Sequence, residues 1–152
     1  MKNGIILIIE RHLSKTHVDG AATTLENARP VIGLSLRHNR VDNFWFCLFH
    51  ELAHIKLHLS HSARDLFVDD LDAADSSKPE KEADTWAQNK LIPLAQWAKV
   101  QNCSTASDVQ LAAQELQISP AIIAGRIRYE KKNYKLFSNL IGQGELHNQF
   151  FM

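Results

Sequence analysis

Two histidines, His50 and His54, stand four positions apart in the run His50-Glu51-Leu52-Ala53-His54. On a helix turning ~100° per residue they lie about 40° apart and one turn along the axis, so both imidazoles can reach a single cation. Glu51 falls on the same side without aiming at the same spot. Its carboxylate can hold a water at the open position of that cation, take a proton as the water attacks a carbonyl, and pass it to the leaving amine. These residue types at this spacing predict metal-assisted peptide hydrolysis, with His50 and His54 as metal ligands and Glu51 as catalytic base.

A five-residue pattern is short, so the flanking chain must show that a buried helix carries it. From Asn43 to Leu59 the sequence reads NFWFCLFHELAHIKLHL, free of Gly and Pro, with Asp42 as expected N-cap. Phe44, Trp45, Leu48, Leu52, Ile55 and Leu59 form an apolar surface that the two histidines interrupt. Cys47, one turn before His50, is read as a packed small residue. His58 and His61 continue the helical spacing and are read as solvated residues or as partners of the ligands.

A third ligand is needed. The HExxHxxGxxH arrangement is excluded, because Leu57 and Ser60 stand where its glycine and third histidine belong. A carboxylate from a second helix is the remaining common solution, and Pro79-Glu80-Lys81-Glu82-Ala83-Asp84-Thr85-Trp86-Ala87 offers one. Glu80 and Asp84 are four apart, so Glu80 can ligate while Asp84 accepts the second ring N–H of a ligating histidine. Two alternatives stay open: Ser77-Lys78-Pro79-Glu80 also fits a capping box, and Glu82 is a rival ligand.

With both segments in view, the chain resembles the ImmA/IrrE family of zinc metallopeptidases, in the branch linked to HigA-type antitoxins and to phage or mobile-element repressors. The matching stretches are PVIGLSLR (30–37), VDNFWFCLFHELAHIKLH (41–58), EKEADTWAQNKLIP (80–93), ISPAIIAGRIRYEKKNY (118–134) and GQGELHNQF (142–150). The resemblance implies a small zincin-like domain with zinc held by His50, His54 and Glu80, and Glu51 as general base. It also implies a protein substrate, an Xre-type repressor or antitoxin, whose cleavage derepresses genes. Relatives that begin with an Xre-type helix-turn-helix differ from this chain, which opens directly on strand-like sequence.

The rest of the chain supplies the frame. Its 152 residues are 45% hydrophobic with a formal net charge of zero, which suits one globular domain and argues against electrostatic nucleic-acid binding as its main business. Two cysteines form no disulfide framework, and the apolar run from Gly4 ends at Glu10, too soon for export or a membrane span. The expected location is cytoplasmic, with no membrane partner. Gly4 to Ile9, Ala21 to Leu25 and Val31 to Leu36 read as strands. The expected fold is α+β, a short, mainly antiparallel three-stranded sheet packed on the HExxH helix with several further helices. By resemblance, Val31 to Leu36 is expected to be an edge strand that pairs with substrate. The expected organisation is a single domain, 1–104 as metal-site core and 105–152 as a helical segment packed on it.

Ser60 to Ser77, with Asp65, Asp69, Asp70, Asp72 and Asp75, reads as a solvated loop, since it lacks the ordered pattern of a calcium loop. Leu94 to Val100 reads as a short helix. Ser107 is expected to cap a helix from Asp108, and Ser119-Pro120 to open another reaching about Lys132. This pair, with Arg128, Lys131, Lys132 and Lys135, has the outline of a helix-turn-helix. DNA binding through residues 108–132 is therefore a rival reading, although Ala121 to Gly125 offers nothing polar to read a base. A second rival is a non-cleaving, antitoxin-like binding module that keeps the site. Gly142-Gln143-Gly144 reads as a turn. Two histidines and a carboxylate suit Zn²⁺ and also accept Mn²⁺ or Fe²⁺.

Overall fold

The computed structural model describes residues 4–12, 15–25, 29–59, 66–69 and 77–151, which form four strands and six helices. The α+β class read from the sequence is the class observed. By its internal contacts the chain divides into two compact units, Met1–Arg37 with Cys47–Ala87, and His38–Phe46 with Gln88–Met152.

The first unit holds a mixed sheet of β1 (Ile6–Glu10), β2 (Gly20–Thr24), β3 (Pro30–Ser35) and β4 (Leu66–Asp69), in the order β1-β3-β2-β4. β1 runs parallel to β3, from Ile6 opposite Val31 to Glu10 opposite Ser35, and β2 is antiparallel to both β3 and β4. Alternation in β3 buries Ile32 and Leu34, and Leu36 just past its end, at 1–3% exposure.

Val31 to Leu36 is not an edge: β3 has ladder partners on both sides, so its backbone groups are already used. The stretch read as a solvated loop supplies a fourth strand, because Leu66-Phe67-Val68 is a short β-forming run that the surrounding aspartates disguise. Asp65, Asp70, Asp72, Asp75 and His61 lie outside the described residues.

Helices α1 (Val41–Leu57) and α2 (Lys78–Leu91) each have residues in both units. α1 starts before the expected Asp42 cap: the Phe44 N–H bonds to the Arg40 carbonyl, and Asp42 sits in the first turn, gripped by Arg40 through Nε (2.9 Å) and Nη2 (3.1 Å). In the first unit, the α1 residues that are buried are Cys47, His50, Glu51, Ala53 and His54, while Leu52 and Ile55 are only half-buried. The residues capable of chemistry thus lie on the covered face of the helix.

The second unit contains α3 (Leu94–Val100), α4 (Ala106–Leu116), α5 (Pro120–Glu130) and α6 (Glu145–Phe150) around a core of Ile92, Trp97, Val109, Ile123, Ile127 and Ile141. Thr105, not Ser107, caps α4. Its side chain accepts from the Asp108 N–H while Asp108 reaches back to the Thr105 N–H at 2.8 Å, a closed capping box. Ser119 and Pro120 open α5 as expected. The turn at Gly142 and Gly144, both at positive φ, leads into α6, which sequence reading missed; Asn39 Oδ1 accepts from the N–H groups of Leu146 and His147. Among the described residues, no helix is long and apolar enough to cross a membrane.

Candidate metal centre

The site is built from the middle of α1 and the first turns of α2, whose association in the first unit includes a tilted ring contact between Phe49 and Trp86, 6.3 Å between centroids. Helical spacing does the local work. His50 and His54 rise one above the other on α1, and Glu80 and Asp84 do the same on α2. Three atoms converge: Nε2 of His50 is 2.9 Å from Nε2 of His54 and 3.0 Å from Oε2 of Glu80, and His54 Nε2 is 3.4 Å from the same oxygen. Both histidines are fully covered, at 0–1% exposure, and the Glu80 side chain is 24% exposed. Among the described residues this is the group of His, Cys, Asp and Glu side chains whose donor atoms are close enough to share one ion.

Asp84 Oδ1 lies 2.9 Å from Nδ1 of His50. A proton on Nδ1 donates to that carboxylate and leaves the Nε2 lone pair facing inward, the tautomer a metal ligand needs. Glu80 Oε2 is thus engaged with the two histidines, as a ligand position requires. Glu82, the rival ligand, points elsewhere: its Oε2 is 3.2 Å from Nε2 of His58, and this contact, ahead of the attraction of Lys78, holds its carboxyl below the usual carboxylate range. His58 Nδ1 in turn lies 3.0 Å from Nδ1 of His54.

The donor set fits a divalent cation. A tetrahedral zinc with ~2.0–2.1 Å bonds spaces its ligand atoms by about 3.4 Å, and the observed separations of 2.9, 3.0 and 3.4 Å are at or slightly inside that value. Two buried imidazole nitrogens and a carboxylate oxygen turned toward one point repel or compete unless a positive charge sits among them.

Glu51 does not join this trio. It is buried at 1% exposure beneath the first residue of β2, where a Cβ built on Gly20 would overlap the Glu51 carboxylate. The absence of a side chain at Gly20 makes the space that Glu51 occupies. The start of β2 is itself pinned, since Arg37 Nη1 bonds Asp19 Oδ2 at 3.2 Å and the His17 carbonyl at 3.1 Å, and the Ser35 N–H bonds the Asp19 carbonyl. Sequence reading missed Gly20 and Asp19. No periodic pattern links them to Glu51 across the intervening chain.

A small α+β fold that brings two buried histidines and a glutamate together from two helices, with a second, buried glutamate beside them, is that of the metallopeptidases of the zincin type. The family can be given more closely: residues 2–128 match the IrrE N-terminal-like domain of peptidase family M78, and the chain belongs to that family of metallopeptidases. A search against curated proteins finds no match to the chain.

Proposed function

We propose that this protein is a zinc-dependent endopeptidase that cleaves a partner transcriptional repressor or antitoxin, with His50, His54 and Glu80 as metal ligands and Glu51 as the catalytic base. The convergence of the three donor atoms on one point carries the catalytic part of this reading. Family membership supports peptide hydrolysis. The choice of an Xre-type repressor or antitoxin as substrate rests on the resemblance of the quoted stretches to the repressor-linked branch.

Two histidines with one glutamate are a recurrent catalytic zinc set. When bound, the ion polarises the scissile carbonyl and makes water acidic enough to attack near neutral pH. Glu51 accepts the proton released as the water oxygen bonds to the carbonyl carbon, then delivers it to the amine nitrogen as the C–N bond breaks. Burial of Glu51 under Gly20 fixes the carboxylate in one place, so that little reorganisation accompanies the transfer. Asp84 keeps His50 in the tautomer whose lone pair faces inward.

The test begins with elemental analysis of purified protein, wild type beside His54→Ala, Glu80→Ala and Glu82→Ala. Wild type and Glu82→Ala should carry about one zinc per chain, and the other two should lose it. Xre-type repressors are then incubated with wild type and with Glu51→Gln. Cleavage by wild type alone supports the assignment. Binding of a repressor without cleavage by either would favour the non-cleaving module, and a metal-free wild type under zinc-replete conditions sinks the peptidase reading.

A further inference from the structure

His58 follows the last residue of α1, and its backbone N–H still bonds the His54 carbonyl at 2.9 Å. Its ring is thereby held one turn beyond His54, with Nδ1 against Nδ1 of His54 at 3.0 Å and Nε2 against Glu82 Oε2 at 3.2 Å. Two ring nitrogens at that distance hold one proton between them, and which ring owns it follows from the far end. The Glu82 carboxylate only accepts, so neutral His58 carries its proton on Nε2. Its Nδ1 is then the acceptor, and the shared proton belongs to Nδ1 of His54. His54 Nε2 is left with its lone pair toward His50 Nε2 and Glu80 Oε2, as ligation requires.

We infer that His58 and Glu82 are positioning residues, a carboxylate–imidazole relay that fixes the tautomer and ring orientation of His54 as Asp84 does directly for His50. The inference rests on the metal-centre reading above. Exposure rises along the relay, with side chains at 0% for His54, 10% for His58 and 48% for Glu82. The outer carboxylate also meets Lys78 Nζ at 3.6 Å, an exposed pairing. Screening by water and by Lys78 makes Glu82 the weaker link, so removing His58 has the larger effect.

The experiment measures Zn²⁺ affinity by competition with a chromogenic chelator and records the visible spectrum of the Co²⁺-loaded protein. It compares wild type, His54→Ala, His58→Leu, His58→Gln and Glu82→Ala, with thermal unfolding of each metal-free protein alongside. His58→Leu is expected to lose about 10–100-fold in affinity and to shift the cobalt bands, the usual effect of removing a partner of a ligating histidine. His58→Gln, whose amide oxygen can accept from His54 Nδ1–H, should recover most of both, and Glu82→Ala should lose about threefold or more. Equal affinity and an unchanged spectrum in His58→Leu, or equal losses in His58→Leu and His58→Gln, overturn the relay while leaving the metal centre standing. A wild type that binds neither ion brings down the metal centre and the relay together. Should His58→Leu fail to fold, Glu82→Ala decides: its loss supports the relay, and wild-type affinity with a wild-type spectrum overturns it.

Discussion

Gly20→Ala tests a close approach that shapes Glu51, the proposed catalytic base. Gly20 is an ordinary strand residue without positive φ, so its backbone accepts alanine. In open space the change would stabilise the fold by about 0.4–1 kcal/mol, through the lost freedom of the unfolded chain. Here the new methyl overlaps Oε1, Cδ and Cγ of Glu51, whose side chain is buried and has no open solvent to retreat into. Overpacking of this kind costs about 1–3 kcal/mol, so Gly20→Ala should destabilise by roughly that amount, a fall of about 3–10 °C in Tm for a chain of this size. In a Glu51→Ala background the clashing atoms are gone, and the same substitution should be neutral or mildly stabilising. Urea unfolding of the four proteins in the double-mutant cycle, run metal-free and again with saturating zinc, should give a coupling of about 1–4 kcal/mol. Zinc content should not change, because the proposed ligands His50, His54 and Glu80 are not the residues the new methyl meets. An equal cost of Gly20→Ala in both backgrounds would refute the reasoning, as would a stabilised Gly20→Ala single variant.

Arg126 donates from Nη1 to the Gln88 and Ile92 carbonyls at the end of α2, pairs through Nε with Glu130 at 2.9 Å, and stacks over Trp97 at 4.2 Å. Arg126→Ala should therefore cost about 2–4 kcal/mol in chemical denaturation, and Arg126→Lys should recover little, because an ammonium lacks the planar fork. Bonds from the Thr105 backbone, the Thr105 side chain and Ser104 hold the Asp108 carboxyl below its usual range. That stabilisation is present above the unfolded value of ~3.9 and is lost as pH falls through the folded one, so wild type should lose its advantage over Asp108→Asn on acidification. An advantage that is flat with pH would contradict the capping box. Duplex DNA should bind no more tightly than the ~10⁻⁴–10⁻⁶ M of non-specific association at physiological salt; tight sequence-specific binding, read by fluorescence anisotropy, would reverse that expectation.

The site was more legible than the frame, and the reason is distance along the chain. His50, Glu51 and His54 sit within one helical turn, so periodicity alone places them, and Glu80 with Asp84 repeats that logic on α2. What had to be guessed was which carboxylate of Glu80, Glu82 and Asp84 faces the histidines. That depends on the rotation of α2, which no local pattern encodes. The sheet order was illegible for a related cause: β1 pairs directly with β3, skipping β2 of the chain order, and β4 comes from an acid-rich stretch whose strand character shows only in Leu66-Phe67-Val68. Gly20 carried no signal at all, since its importance lies in an atom it lacks.

The helix pair α4–α5 shows why a sequence outline can mislead about partners. A recognition helix has to present polar side chains to base edges and cations to phosphates. α5 buries Ala121, Ile123, Ala124, Ile127 and Arg128. Arg128, which gave the pair part of its basic look, is 5% exposed and donates from Nη2 to the Tyr134 carbonyl; burial first, and then the nearby Arg40, disfavour its charged form. Arg126 is occupied by the end of α2. The cations left at the surface are Lys131, Lys132 and Lys135, which follow α5 rather than line it. Three exposed ammonium groups can touch phosphates but cannot distinguish sequences. The transcriptional role proposed above therefore needs a partner that reads DNA itself, whose action the proposed peptidase centre would end.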